Sequence, residues 1–409
     1  MSHLADLIKE LCPDGVEYRR LDELFATRNG YTPSRSDASA WDSHDIPWFR
    51  MEDIRENGGI LDRALTYISS SAVKNGVLFP ENSLLVATSA TIGAHALITV
   101  PHLSNQRFTS LRLKDEYRKY FDYRFLYYYC FVLDAFCLEH VNVSSFPSVD
   151  MRAFRSFKFP VVPLAVQREI VRILDQFTTL EAELEAELEA RRAQYEYYRN
   201  QLLSYDALAS RGPVEWVKLG EVASKIITGV TPKAADPKYY QDATNPWIRT
   251  QDVNFCRINE ASAFVTDQAV AELPLKWVSP HSVVVAISGA SAGRSAILNI
   301  RAVTNQHCCN IEINSKLADF RYVYYCIASC YEQLRNLGRG ARGDLNVSII
   351  KSFEIPLPAL YEQRYIADIL DRFDALVNDI SSGLPAEIAA RRAQYEYYRD
   401  RLLSFQEKK

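Results

Sequence analysis

The chain has 409 residues, 48% hydrophobic and 24% charged, which is too long for one ordinary domain and apolar enough for more than one core. A formal net charge of −4 speaks against binding nucleic acid by bulk electrostatics, so any DNA contact needs positive charge concentrated locally or lent by a partner. Eight cysteines without a C-x-x-C pair argue against zinc and for reduced thiols; with no signal-type N-terminus and no apolar run of membrane length, the cytoplasm is expected.

In chain order, residues 1–160 form a first segment of mixed character. VEYRRLDEL begins at Val16, Thr32-Pro33 follows, and PWFRMEDI begins at Pro47. A β-rich run covers Ser83–Ala87, Asn105-Gln106 comes next, and a helical stretch is predicted over residues 120–138. Gly, Pro, Asn, Asp and Ser punctuate these runs, so the segment reads as an α+β module with irregular loops. Residues 161–208 differ in kind. PLAVQREIVRILDQF starts at Pro163 and ARRAQYEYYR fills residues 190–199. Ile170, Ile173, Phe177, Leu180 and Leu184 recur three and four apart, the spacing of a coiled-coil seam. After a slip, Leu188, Tyr195 and Leu202 continue seven apart, and Glu and Arg fill the positions between.

The rest of the chain says this again. In residues 209–357, VEWVKLGEV begins at Val214, Thr231-Pro232 follows, and PWIRTQDV begins at Pro246. A β-rich run at 282–287, Asn305-Gln306 and a helical stretch at 319–337 complete the second module. In residues 358–409, PALYEQRYIADILDRF starts at Pro358 and ARRAQYEYYR returns unchanged at 390–399. The second seam is Ile366, Ile369, Phe373, Leu376 and Ile380, then Ile388, Tyr395 and Leu402. The chain is an internal duplication of variable module and constant block. Constant blocks share one fold or one partner, whereas diverged modules are free to recognise different things. Two such helices pair with each other, alone or with a further subunit sharing the seam.

The copies differ in length at one place. Between the Asp of Ile-Leu-Asp and the ARR block the second copy has four extra residues, around Ser381, Ser382, Gly383, Leu384 and Pro385. Gly followed by Pro predicts a kink or break in the second helix.

Motifs of catalysis do not hold up. Gly289, Ala290, Ser291, Ala292 and Gly293 fit G-x-S-x-G, but the counterpart Ser89, Ala90, Thr91, Ile92 and Gly93 does not, so small residues in a turn after a strand explain both. The same turn, with Arg294, imitates a phosphate loop without its lysine or spacing. Asp236-Pro237-Lys238-Tyr239 and Asn245-Pro246-Trp247 only partly match the Asp/Asn-Pro-Pro-aromatic motif of amino-methyltransferases, and histidines are few and scattered. The chain is expected not to be an enzyme.

The constant blocks, with Gln167-Arg168-Glu169-Ile170, Ile173-Leu174-Asp175 and ARRAQYEYYR, resemble the conserved regions of the specificity subunit of type I restriction–modification systems. Thr-Pro, Pro-Trp-x-Arg, the Ser/Thr/Gly-rich turn and Asn-Gln of each module resemble that family too, and the likeness runs from Pro13 to Leu403. It implies an α+β fold of two pseudo-symmetric target recognition domains, residues 1–160 and 209–357, joined by two long helices in an antiparallel coiled coil. Each domain would read one half of a split double-stranded DNA sequence. The coil would set the spacer and dock two copies of an adenine methyltransferase subunit, with restriction/translocase subunits completing the complex. S-adenosylmethionine, ATP and Mg²⁺ would belong to those partners. The docking side chains would be Ile173, Phe177, Leu180, Tyr195, Tyr198 and Leu202 of the first helix and Ile369, Phe373, Leu376, Tyr395, Tyr398 and Leu402 of the second. A coiled-coil scaffold without DNA binding would explain the helices but not the diverged modules, and a methylation-only system would use the same chain.

For reading DNA, the basic, Gly-rich segment with Arg335, Arg339 and Arg342 is the leading local candidate, since arginine forks suit guanine edges or phosphates; the bland alternative is a solvated turn. Its first-half counterpart, from Val141 to Phe146, is uncharged, with Arg152 and Arg155 just beyond. Thr88, Ser89 and Thr91, Ser288 and Ser291, and Arg107 complete the candidates. Because Asn-Gln and Pro-Trp occur in both halves, Asn105, Gln106, Asn305, Gln306, Trp48 and Trp247 are expected to be structural. Arg50 and Arg249 stand open between phosphate contact and internal pairing.

Overall fold

The computed structural model describes residues 2–43, 45–142, 146–338, 343–378 and 382–408. It divides into two compact units, Met1–Glu183 with Ile388–Lys409, and Leu184–Glu387.

The first unit is built around a five-stranded sheet ordered Phe25–Asn29, Phe108–Leu113, Ser83–Ala87, His95–Ile98, Ile60–Leu61. All pairs are antiparallel except the last. Ser83–Ala87 is apolar after its first residue and buried along its whole length, because both faces of the sheet are covered. Side chains alternate between the faces. Leu84 and Val86 meet the helix Tyr123–Glu139 through Phe125, Tyr128, Tyr129 and Leu133; Leu85 and Ala87 meet Trp48, Phe49, Ile68 and Phe79 on the other side. That second layer rests on a small sheet of Tyr67–Ile68, Ile46–Phe49 and Leu103–Ser104. Asp122 caps the long helix, its carboxylate accepting the N–H groups of Arg124 and Phe125.

The second unit repeats this topology. Its five strands are ordered Ala223–Thr228, Cys308–Ile313, Ser282–Ala286, Ser295–Leu298, Cys256–Ile258, with Phe264–Val265, Asn245–Ile248 and Val303–Thr304 as the small sheet. The covering helix is shorter: Phe320–Ser329, capped by Asp319, gives way at Cys330 to Tyr331–Asn336. The single helix expected over 319–337 is therefore two, with the break where Cys330 leaves helical geometry at ψ 20°.

Each unit also holds a pair of coil segments, so the architecture is α+β with antiparallel helix pairs. One helix, Leu164–Leu203, begins in the first unit and ends in the second. In the first unit Phe177 packs on Tyr395 and Tyr398, at 6.2 and 5.7 Å between ring centroids, and Glu181 pairs with Arg392. Increasing numbers on one helix meet decreasing numbers on the other, which is antiparallel. In the second unit Phe373 packs on Tyr198 at 6.0 Å.

The seam differs from its predicted course. Leu180 and Leu376 are exposed, and Glu181 takes the inward position through its pairing with Arg392. Followed through Leu174, Phe177, Glu181, Leu184, Leu188, Arg191 and Tyr195, the three-four alternation has no slip at Leu188. The slip arises from reading only apolar residues, since two seam positions carry charge. In the second copy the helix is described to Asn378 and a new one begins at Leu384, with Ser382 and Gly383 in neither. The extra residues thus interrupt the helix as expected; Pro385 is tolerated as the second residue of the new one. Ile380 and Ser381 lie outside the described residues.

Candidate nucleic-acid interface

The matched motifs are joints that hold loops. In the first unit Gly30 sits so close to the chain after Leu103–Ser104 that an added Cβ would lie 2.1 Å from the Asn105 carbonyl oxygen; in the second, Gly229 would place one 1.7 Å from that of Thr304. Only glycine fits, and the next turn is thereby pinned. Thr32 Oγ1 then hydrogen-bonds Gln106 Oε1, and Thr231 Oγ1 does the same with Gln306 Oε1. Trp48 and Trp247 donate their indole N–H to the Tyr31 and Val230 carbonyls at 3.0 and 3.3 Å. Thr-Pro, Pro-Trp and Asn-Gln are one structural cluster in each half.

Arg50 and Arg249 belong to it as well. Their backbone N–H groups donate to Asp53 and Asp252, and their guanidinium groups donate to Thr66 Oγ1 at 2.9 Å and Ser262 Oγ at 3.0 Å while lying over the neighbouring Trp. Internal bonding therefore engages both.

On this base three loops meet at one end of the five-stranded sheet. In the first unit the turn after Ser83–Ala87 is bound on one side to the Asn-Gln loop, Thr88 N–H donating to the Arg107 carbonyl at 3.0 Å. On the other side it meets the hairpin of Val141–Asn142 and Ser148–Val149, through Ala90 N–H to Pro147 O and Val149 N–H to Thr88 O. In the second unit Ile287 N–H donates to the His307 carbonyl at 2.8 Å, Leu345 N–H to the Ile287 carbonyl, and Gly289 N–H to Asp344 Oδ1. Ala90 at φ +64° and Gly289 at φ +70° take the same left-handed step. Alanine rarely holds that conformation, so the loop contacts around Ala90 enforce it.

The candidate side chains fall into place unevenly. Thr88 is turned inward, its hydroxyl bonded to that of Thr109 at 2.8 Å, so it does not face a ligand. Ser89, Thr91, Ser288 and Ser291 are half-buried in their turns, and Arg107 is exposed beside them. Arg152 and Arg155 are exposed on the short helix Met151–Ser156, next after the hairpin. Arg335 is exposed, with Cβ 3.5 Å from where a side chain on Gly293 would begin, so it borders the second turn. None of these four arginines forms an ion pair with a described residue. Arg339 and Arg342 lie outside the described residues, as do Gly340, Ala341 and residues 143–145. Phe146, which the sequence reading passed over as part of an uncharged stretch, is 81% exposed beside the first turn. Its signal was a lone aromatic in a Ser/Pro stretch.

Of the coil candidates, Ile173, Tyr195 and Leu402 are buried within their own units. Phe177, Leu202, Ile369, Phe373, Tyr395 and Tyr398 are half-buried, and Leu180, Tyr198 and Leu376 are exposed.

No hydrolase site forms at Ser291. A nucleophile elbow joins a strand to a helix, whereas the turn Gly289–Ser291 leads into the strand Ser295–Leu298. Burial pushes the Cys137 thiol up to about 12 and also raises Cys130 and Cys326, so these are core groups rather than nucleophiles. Among the described residues no helix is long and apolar enough to cross a membrane.

This geometry has relatives. The family model for the type I restriction modification DNA specificity domain matches residues 13–190 and again 212–390. The chain belongs to that family. Within it, the type I restriction enzyme EcoprrI specificity subunit of Escherichia coli is 38% identical over 395 residues, covering 93% of each chain. The fold recurs in a chain solved in work on complex assembly and conformational transition of the type I R-M system, at TM-score 0.65 and 17% identity over 96% of this chain and 98% of that one. It recurs also in the HsdS subunit from Thermoanaerobacter tengcongensis, at TM-score 0.53 and 16% identity over 96% of both. This specificity subunit therefore carries two DNA specificity domains of the type I restriction–modification family, one per repeat.

Proposed function

We propose that each module reads one half of a split, asymmetric double-stranded DNA target, with residues 1–160 and 209–357 as the two target recognition domains. The observation that carries this reading is the repeated convergence of three loops on a joint shared by the two halves, with side chains above the joint that differ between them. Phosphate contacts from Arg107, Arg152, Arg155 and Arg335 would position the duplex, and the diverged loop residues would choose the bases. The helical blocks 161–208 and 358–409 would set the spacer between the half-sites.

Docking of two identical partners has its own support. The blocks at 190–199 and 390–399 are identical, and fold alone explains only their inward residues. Yet Ala193, Glu196 and Tyr197 are exposed, as are Ala393, Glu396 and Tyr397; the two tyrosines are 60% and 59% exposed. The same outward face offered twice suits a partner present in two copies, which we infer to be the adenine methyltransferase subunit. Methyl transfer from S-adenosylmethionine, and the Mg²⁺- and ATP-dependent work of restriction subunits, would then belong to other chains in the cytoplasm, this one recognising without catalysing.

Co-expression with the methyltransferase subunit and genome-wide mapping of modified adenines tests this. The expected result is a single split motif with a fixed gap, and deletion of four residues within 181–189 should change the gap or abolish modification while leaving any half-site sequences intact. A stable complex that modifies no split motif would reduce the chain to a docking scaffold.

A further inference from the structure

We infer that the residue following Asn-Gln in each module, Arg107 in the first and His307 in the second, determines base preference in its half-site. The inference rests on the recognition reading above and deepens it to single residues.

The backbone beneath these two side chains is the same. Asn105 Oδ1 accepts the Arg107 N–H at 3.1 Å, and Asn305 Oδ1 accepts the His307 N–H at 3.1 Å. The preceding glutamine is tied to Thr32 in one half and Thr231 in the other. The carbonyl of Arg107 receives Thr88 N–H and that of His307 receives Ile287 N–H, so each residue is fixed to the loop beside it. The turn is closed by Phe108 N–H on Asn105 O and Cys308 N–H on Asn305 O, at 3.3 and 3.2 Å. These bonds fix the backbone on both sides of the residue, and what they hold up is one exposed side chain.

Those side chains are where the halves part. Asn-Gln precedes both, but a guanidinium stands on one pedestal and an imidazole on the other. A structural position would not need this rigidity beneath a solvent-facing group. A reading position does, because a bidentate contact to a base edge tolerates little misplacement. Arg107 presents a fork matched to guanine N7 and O6. His307 Nε2 accepts from Gln306 Nε2 at 3.1 Å, which leaves one ring nitrogen for a base edge, so His307 discriminates less strongly. The two halves would therefore differ in stringency at the equivalent base.

The test uses the complex of the full chain with its methyltransferase subunit. After the wild-type motif has been mapped, dissociation constants are measured for duplexes in which each base of the motif is replaced in turn, with Arg107→Ala, Arg107→His and His307→Arg. Arg107→Ala should relax discrimination about tenfold to a hundredfold at one base of one half-site, leaving the other half and the spacer unchanged. His307→Arg should sharpen or change one base in the other half only. A uniform loss across all duplexes, with a smaller salt dependence, would make Arg107 a phosphate contact and overturn the inference. Unchanged discrimination in all three variants would also overturn it while leaving the recognition reading intact. A wild-type complex with no split motif would remove both. Thermal unfolding of each variant identifies any that fail to fold, and Arg107→Lys, which keeps charge but loses the fork, then decides between base and phosphate.

Discussion

Replacing Gln167 with leucine should loosen the first unit selectively, and the structure fixes by how much. Gln167 is fully buried where the coil helix meets its module. Its Nε2 donates to the carbonyls of Tyr120 and Val162, at 2.7 and 2.5 Å, and its Oε1 accepts Asp122 N–H at 2.8 Å. Leucine leaves all three backbone groups without these partners. Val162 is 1% exposed, so its carbonyl is left buried at a cost of about 1–3 kcal/mol. Tyr120 and Asp122 can be reached by water, so each forfeits only the net worth of a hydrogen bond, about 1 kcal/mol. Together the loss is roughly 3–5 kcal/mol. Hydrogen exchange of the full chain reads it locally: opening at Tyr123–Glu139, which Asp122 caps, should become easier by that amount. The amides of Phe320–Ser329 should stay within about 0.5 kcal/mol of their original values. Gln363 has the same bonds to Leu317, Pro358 and Asp319, so Gln363→Leu should give the mirror result. A change below about 1 kcal/mol at Tyr123–Glu139, or equal losses in both helices, would refute the argument that these glutamines lock each module to its own coil segment.

Gly229→Ala should force the backbone away from the Thr304 carbonyl, costing about 1–3 kcal/mol or more in a thermal melt and abolishing discrimination in the second half-site while the first survives. Normal discrimination on both sides would mean the pinned turn does not position the loops. Acid should weaken the first unit through His102. Burial among Phe49 and Phe79 holds its pKa down to about 4 from an ordinary 6.5, so the unfolded state binds the proton first as pH falls. Stability is then complete above pH 6.5 and declines toward pH 4, by about 2 kcal/mol at pH 5. His102→Ala, matching Ala302 of the second unit, should lower stability overall but flatten that slope; an unchanged slope in urea titrations would assign it elsewhere.

Repetition made most of the fold legible. Strands such as Ser83–Ala87 are continuous apolar runs between breakers, and their copies confirmed one another. The seam was less so, because Glu181 and Arg191 occupy inward positions that an apolar search passes over. Within the candidate interface, shared residues proved easier to place than reading residues. Asn105 and Trp48 recur because a joint needs them, and their bonds bear this out. Thr88 was misleading, since a hydroxyl in a polar turn gives no sign that Thr109 lies across the sheet to receive it. Arg107 was visible only as a basic residue beside a shared motif; the pedestal under it depends on contacts from residues 32 and 88, which no local spacing records.

The two units also differ in when they can be finished. The second is one uninterrupted length of chain, so it has all its parts once residue 387 has been made. The first lacks Leu402 and Leu403 of its core, and the strand-like hold of Gln406 and Lys408 on Val16, until residues 402–408 have been made. During translation the earlier-made module therefore waits with apolar surface uncovered while the later one assembles. A frameshift or stop near residue 388 would leave the second module whole and damage the first, the reverse of what a truncated chain ordinarily suffers.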